Sequence, residues 1–435
     1  GRFEGHTDRV DLLAGQIGLD RLALADTDIY IKIAGDDSEP PDTSALTLDY
    51  RIDAGELSIA NTRYRMDLED LLIDSYVGSA VADGNHVLLL GDTMRIDIAR
   101  FDLTGSRYRM DTPSAPPAPG FDYNHMDLDS IEIRIADFNY DNLDISGRVE
   151  QIAGRDQCGF VLTGFESRVH YNLDSIELWQ LHATTPQTRI NADHGKVTFP
   201  FLEDSTLFEQ MLIDLQLDST VLYPADVAYF VPQLDEQDWF RQHRRQPLRL
   251  DARVYGTLAD LAVTRFDLQG WDARANLSGR LRHVTDMERL ETDLNIAAIE
   301  STGAGIRKWL PPGTLPGYME LPNDVLLRGT VKGPLQRLSM QLEATTSRSA
   351  QPVAARLQLA GELGNVMDPD RLYYDMGVDT IWLSRMEMNA YLPDSFPAYI
   401  ELPEAVALTG KLKGTMDTVF ADLDLKAYRD TLISE

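Results

Sequence analysis

The chain has 435 residues, 43% hydrophobic and 25% charged, which is enough apolar material for a large ordered structure. Asp and Glu number 70 against 40 Lys and Arg, and the net charge of -30 opposes the polyanion attraction that binding nucleic acid or docking on an anionic leaflet requires. The single cysteine, Cys158, excludes an internal disulfide and a cysteine-based zinc cluster, and reads as a small buried apolar residue.

Along the chain the dominant signal is period-two alternation, which sends successive side chains to opposite faces of a sheet. Ile29, Ile31 and Ile33 open the series, followed by a proline-marked loop over Asp36 to Asp42. Met94, Ile96 and Ile98 come next, then a second loop over Pro113 to Gly120, then Ile131, Ile133 and Ile135, and later Ile213, Leu215 and Leu217. Pro224 to Arg241 reads instead as one or two short helical turns broken by Pro232, with Tyr229, Phe230, Leu234, Trp239 and Phe240 as apolar contacts. The basic run Arg241, His243, Arg244, Arg245 behind it reads as solvated. Alternation returns at Leu248, Leu250, Ala252 and Val254. A helix is expected over Ser301 to Leu310, stopped by Pro311 and Pro312. Leu338, Met340 and Leu342, then Leu357 and Leu359, and finally Leu423 and Leu425 complete the pattern.

Asp-Gly, Pro-Pro and Asn-Leu-Asp read as turns between these runs. One strand per 11 or 12 residues predicts roughly 35 to 40 short strands. Apolar runs such as Val87 to Leu90 fall far short of the roughly 20 residues needed for a spanning helix.

The chain also repeats itself. Leu315-Pro316-Gly317-Tyr318-Met319-Glu320-Leu321-Pro322 returns 81 residues on (315 to 396) as Phe396-Pro397-Ala398-Tyr399-Ile400-Glu401-Leu402-Pro403. Gly329 to Leu335 aligns with Gly410 to Met416, and a looser copy stands at Val254 to Leu258. Gly279 to Asp286 returns as Gly361 to Asp368, and Arg63 to Asp67 returns as Arg107 to Asp111. Units that each bury one face must stack on their neighbours. The expected fold is all-β: an elongated, repetitive sheet curled into a taco-like, solenoid-like groove with few short helices. Residues 1–223 form the first set of groove repeats, 224–246 a short helical insertion, and 247–435 repeats of about 81 residues continuous with the first set.

No catalytic chemistry, metal or cofactor is expected. The acids are spread along polar strand faces, and the eight histidines (His6, His86, His125, His170, His182, His194, His243, His283) form no HExxH pattern. Asp141 to Asp144 reads as a turn rather than a calcium loop. A sheet with one apolar face can pack on a second sheet, close on itself, or curl into a trough for an apolar ligand.

Phe121 to Ile131, Asp226 to Pro232 and Gly256 to Leu261 resemble the periplasmic region of TamB-type translocation and assembly proteins of the AsmA-like family. The resemblance implies a groove between inner and outer membranes that carries phospholipid acyl chains. It also implies a TamA-type outer-membrane barrel partner and an inner-membrane anchor lying outside this segment. The opening at Gly1 and the stop at Glu435 within a strand-like pattern read as the ends of a segment of a longer protein. The alternative role is assembly of outer-membrane proteins by β-augmentation along open sheet edges.

On the conduit reading, the groove lining is Ile29, Ile31, Ile33, Met94, Ile96, Ile98, Ile131, Ile133, Ile135, Ile213, Leu215, Leu217, Leu250, Val254, Leu338, Met340, Leu342, Leu357, Leu359, Leu423 and Leu425.

Overall fold

The structure, a computed structural model, describes residues 1–33, 49–91, 93–199, 209–236, 238–286, 288–309, 319–349, 351–368, 371–393, 396–397, 399–415 and 417–429. The loop expected over Asp36 to Asp42 and the first half of the Leu315 to Pro322 motif lie outside these residues. The fold is all-β, as expected, with 23 strands among the described residues in a mixed, open sheet and a few short helices. The count is well below 35 because the early strands are long and bend where a turn was expected. The chain divides into two compact units, 1–199 with 220–236, and 200–219 with 237–435.

In the first unit, β1 (Arg2–Asp11) and β2 (Gln16–Ala25) form a hairpin. Strand β2 and then β3 (Asp28–Ile33) lie parallel to successive halves of the 19-residue β4 (Tyr50–Leu68). The ladder continues antiparallel through β5 (Leu71–Leu90), β6 (Thr93–Asp111), β7 (His125–Asp141) and β8 (Asp144–Asp156). Strand β8 pairs with the short β9 (Val161–Leu162) and with β10 (Gly164–Tyr171), and β11 (Ser175–Thr184) and β12 (Arg189–Thr198) follow. The repeated Arg-Tyr-Arg-Met-Asp copies stand side by side across β5, with Arg63 and Arg107 both opposite Tyr76, and Met66 and Met110 both opposite Ile73.

Two columns of irregularity cross β4 to β7. One contains Asn61 (φ 47°), Gly78, Gly105 (φ 60°) and Ser130 (φ 54°), and the other Gly55, Gly84 (φ 65°), Ala99 and Asp137 (φ 54°). At each column the apolar pattern slips by one residue, as in β6, where Ile96 and Ile98 give way to Phe101 and Leu103. At these points paired strands leave facing residues out of the ladder, two successive side chains fall on the polar side, and the backbone bends. Asp83-Gly84, read as a turn, is one of these bends inside β5. Asn142 and Leu143, both with positive φ, do form a turn.

Strand β13 (Leu212–Leu222) precedes α1 (Pro224–Val227), a 3-10 helix (Pro232–Glu236) and α2 (Asp238–His243), breaking at Pro232 as anticipated. The second unit is an antiparallel ladder of β14 (Leu248–Thr257), β15 (Asp260–Gly270), β16 (Ala273–Arg282), β17 (Glu291–Thr302), β18 (Asp324–Pro334), β19 (Leu338–Arg348), β20 (Gln351–Gly364), β21 (Tyr373–Ser384), β22 (Ala405–Thr415) and β23 (Val419–Tyr428). Helix α3 (Gly303–Trp309) follows β17, and α4 (Arg385–Tyr391), not anticipated, follows β21. The sequence repeat is therefore a four-strand unit: Gly256, Gly333 and Gly414 sit on β14, β18 and β22, and Gly279 and Gly361 on β16 and β20.

Gly279, Gly329 and Gly410 have φ of 147°, 148° and 141°, a region open essentially to glycine alone, and each faces a bulge on the neighbouring strand. A Cβ at Gly329 would stand 2.0 Å from the Gln341 carbonyl oxygen. Gly329→Ala should cost more than about 3 kcal/mol, combining backbone strain with displacement of β19. Gly105→Ala, whose Cβ meets nothing within 4 Å, should cost about 1 kcal/mol. Urea midpoints of the two variants check this, and equal shifts would contradict it.

Candidate functional site

Residues directly paired across strands share a face, so the register shows which apolar side chains assemble. In the second unit one row runs through all ten strands: Leu250, Leu268, Ala275, Ile299, Leu327, Ala344, Leu357, Ile381, Leu408 and Leu425. Beside it run Ala252, Phe266, Leu277, Ile296, Gly329, Leu342, Leu359, Val378, Gly410 and Leu423. A third row holds Val254, Val263, Gly279, Leu294, Val331, Met340, Gly361, Met376, Leu412 and Ala421. None of these positions is polar, and at about 4.8 Å between strands the rows extend on the order of 43 Å.

Strict alternation does not produce these rows by itself. On β15, β17 and β21 the apolar positions step by three, from Val263 to Phe266, Ile296 to Ile299 and Val378 to Ile381. The two residues between, such as Asp379 and Thr380, belong to the polar side.

The first unit repeats the arrangement. Ile17, Ile52, Val87, Ile96, Tyr140, Ile145, Tyr171, Ile176 and Val197 form one row, and Leu24, Ile59, Ala80, Leu103, Ile133 and Ile152 another. Ile31 aligns with Met66, Ile73, Met110 and Met126, and Ile135 with Leu22, Leu57, Ala82, Phe101 and Val149. Within each unit, then, the register gathers most of the anticipated lining residues onto one face. Ile131 lies opposite Ser106, so its row is interrupted there. Ile213, Leu215 and Leu217 alternate on β13 and are half-buried.

The cover over these rows is uneven: Ala252, Val263, Ile296 and Val378 are buried. Leu338 and Met340 are buried, with Met376, in a small cluster. Ile31 and Met94 are each 37% exposed and Leu425 62%, while the other lining residues with a described side chain are half-buried. The side chain of Ile33 lies outside the described residues.

On the apolar side of the first unit, Thr62, Asn85 and Ser106 sit at the bends and serve the backbone. Thr62 Oγ1 donates to the Ala60 carbonyl at 2.9 Å and Ser106 Oγ to the Thr104 carbonyl at 3.2 Å, and both residues are under 5% exposed. Asn85 Nδ2 donates to the Ala82 carbonyl at 2.8 Å and the Ala54 carbonyl at 3.2 Å. The opposite face carries cross-strand ion pairs such as Arg107–Asp127 at 2.7 Å, Arg21–Glu56 at 2.9 Å and Lys413–Asp375 at 2.9 Å. These largely exposed pairs add little stability but keep the face wet. Hydrogen bonding from Arg63 holds the Asp74 carboxyl below its usual range.

The ends of the strands carry the remaining chemistry. Sequence reading missed two of these features. His243 is not solvated with its basic neighbours; it is 3% exposed, its ring 4.6 Å from that of the buried Trp271. Glu387 on α4 is fully buried and accepts from Arg348 Nε at 2.7 Å, from Thr346 Oγ1 at 3.5 Å and from the Tyr391 hydroxyl. Burial, and then Glu387, push the Tyr391 phenol well above its usual range. Nothing in the spacing of Arg348 and Glu387 signals their pairing, because it depends on where α4 lands.

In the first unit, Phe121, Phe160, Tyr229 and Phe230 form a ring cluster, with Phe160 and Phe230 at 5.1 Å and Phe121 and Phe230 at 5.6 Å. Cys158 is half-buried beside it, its thiol pushed up to about 11 chiefly by burial and then by Asp156. Among the described residues no three His, Cys, Asp or Glu side chains converge on a possible metal position, and no helix is long and apolar enough to cross a membrane. Comparison with family models, curated proteins and solved structures finds no match to this chain.

Glu387→Leu, which strands a buried guanidinium, should cost about 3–5 kcal/mol, whereas the double variant Glu387→Leu with Arg348→Met should recover most of that loss. Denaturant titration of both tests the pairing, and equal destabilisation would refute it. Iodoacetamide labelling of native Cys158 should be slow at pH 8 and accelerate toward pH 11, with the urea-unfolded chain reacting like an ordinary thiol.

Proposed function

We propose that the apolar face is a conduit for phospholipid acyl chains, with head groups kept in water at its margins. The observation that carries this reading is the register, which aligns apolar side chains and glycines into rows that no charged residue interrupts. The bulges support it further by bending the strands, and the exposure of Ile31, Met94 and Leu425 leaves part of the face accessible.

The energetics favour such a device. Moving a two-chain lipid through water exposes about 30 methylenes at about 0.8 kcal/mol each, a barrier above roughly 20 kcal/mol. A continuous apolar wall removes that exposure at every step. A wall of Ile, Leu, Val, Met and Ala also binds similarly throughout, so no position traps the cargo. The resemblance of residues 121–131, 226–232 and 256–261 to TamB-type proteins supports a periplasmic location within an inner-membrane-anchored protein, with a TamA-type barrel as outer-membrane partner.

Replacing Ile133 or Met340 with Arg should abolish co-purified phospholipid downstream of the substitution and reduce lipid transfer between vesicles at least tenfold, with the far-UV spectrum unchanged. Leu at the same positions should transfer normally. Undiminished transfer by a folded Arg variant would overturn the reading, as would photo-cross-links along the rows that capture polypeptide instead of lipid.

A further inference from the structure

The first unit's sheet is not equally wide along its ladder. Strands β4, β5 and β6 have 19, 20 and 19 residues, β7 has 17, β8 has 13, and β11 and β12 have 10 each. At about 3.4 Å per residue the contour of the curled sheet falls from about 65 Å to about 34 Å. The narrowing is one-sided. The row from Ile17 to Val197 stays close to one set of strand ends throughout, so that margin is straight. The opposite margin recedes from Leu68 and Leu71 to Asp156, and then to Thr184 and Arg189.

The part that ends is the stretch beyond the Asn61, Gly78, Gly105, Ser130 bends, a third wall carried by β3 to β7 and reached on β8 only by its last residues, Arg155 and Asp156. Its central row is Ile31, Met66, Ile73, Met110 and Met126. Three of these five are methionines, flexible and polarizable side chains that adapt to varied apolar shapes. Along the receding margin, loop 112–124, the turn after Asp156 and the turn after α1 bring together Phe121, Phe160, Tyr229 and Phe230. The wall stops where the ring cluster begins.

Resting on the conduit reading, we propose that the β3–β7 section is the loading bay, where acyl chains are exchanged with their source membrane and held in greater number than the β10–β12 section can hold. A lipid leaving a bilayer must have both chains covered at once, and the cost of incomplete cover scales with exposed methylenes. The section with two walls and a floor covers more apolar surface than the section with one bend. Lipids therefore enter at the wide section and pass in smaller number beyond the rings.

The test uses the whole chain and neutral phosphatidylcholine vesicles containing a lipid with a photoreactive acyl chain. Time-resolved cross-linking on wild type should give first adducts in peptides 62–68 and 106–111 and later adducts in 164–198. Met110→Lys should slow uptake at least fivefold and lower the lipids bound per chain by native mass spectrometry. Leu178→Lys, in the narrow section, should leave initial uptake within twofold of wild type. First adducts in 164–198, or Leu178→Lys slowing uptake more than Met110→Lys, would overturn the loading bay while leaving the conduit intact. Absence of any lipid adduct on wild type would overturn both. The cross-linking arm needs no substitution, so a misfolded variant cannot obscure the result.

Discussion

A strand inside a sheet must satisfy its backbone groups on both sides, so its register against each neighbour is fixed, and a slip of one residue would turn all its side chains to the wrong face. Everything else in this chain depends on that constraint. Apolar residues form rows only because each strand's pattern agrees with its neighbours' over the full ladder. The bulges are the severe case. Val263 to Phe266 on β15 steps by three, and the row survives because β16 meets the step with Gly279 and Leu277, two residues apart. The glycine at that point is a consequence: a Cβ there would stand 2.1 Å from the Asp293 carbonyl oxygen on the other side.

The same constraint explains the distribution of polar groups. A bend frees backbone carbonyls from the ladder, and a freed carbonyl on an apolar face is costly unless paired. Thr62 and Ser106 each bond the carbonyl two residues before them, and each follows a residue of positive φ, Asn61 and Gly105. Curvature and an apolar lining are thus achieved together. The Ala60 carbonyl also accepts from Asp26 N–H at 3.0 Å, and Ser106 Oγ accepts from Gly78 N–H at 3.2 Å, so the backbone groups at the bends are paired from more than one side.

The repeat has its physical basis in the same geometry. Four strands and a helix recur over 81 or 82 residues, and the glycine-against-bulge contact at Gly329 on β18 recurs four strands on at Gly410 on β22. Helices α3 and α4 stand at equivalent places, yet they are held differently: Lys308 pairs with Asp272 on the surface, whereas Glu387 pairs with Arg348 in the interior. Hydropathy alone did not reveal α4, since Arg385 to Tyr391 has no strong apolar periodicity. Its offset of 82 from Gly303 in α3, after matched strands, was the available signal. The burial of His243 had no such signal, because Trp271 reaches it from the turn between β15 and β16.

By itself the sequence determined the fold class, the apolar alternation and the repeat, since each is a property of spacing within one segment. The tertiary structure alone decided which residues share a face across a bulge, where strands end, and how wide the sheet is. Asp83-Gly84 shows why. The dipeptide favours positive φ in either a turn or a bend, and only pairing on both sides of β5, to β4 and β6, selects the bend. Asn61, Ser130 and Asp137 adopt positive φ without being glycine, so nothing in their local sequence announces the columns they join. A bulge is a relation between two strands, and a relation of that kind is settled when the strands meet.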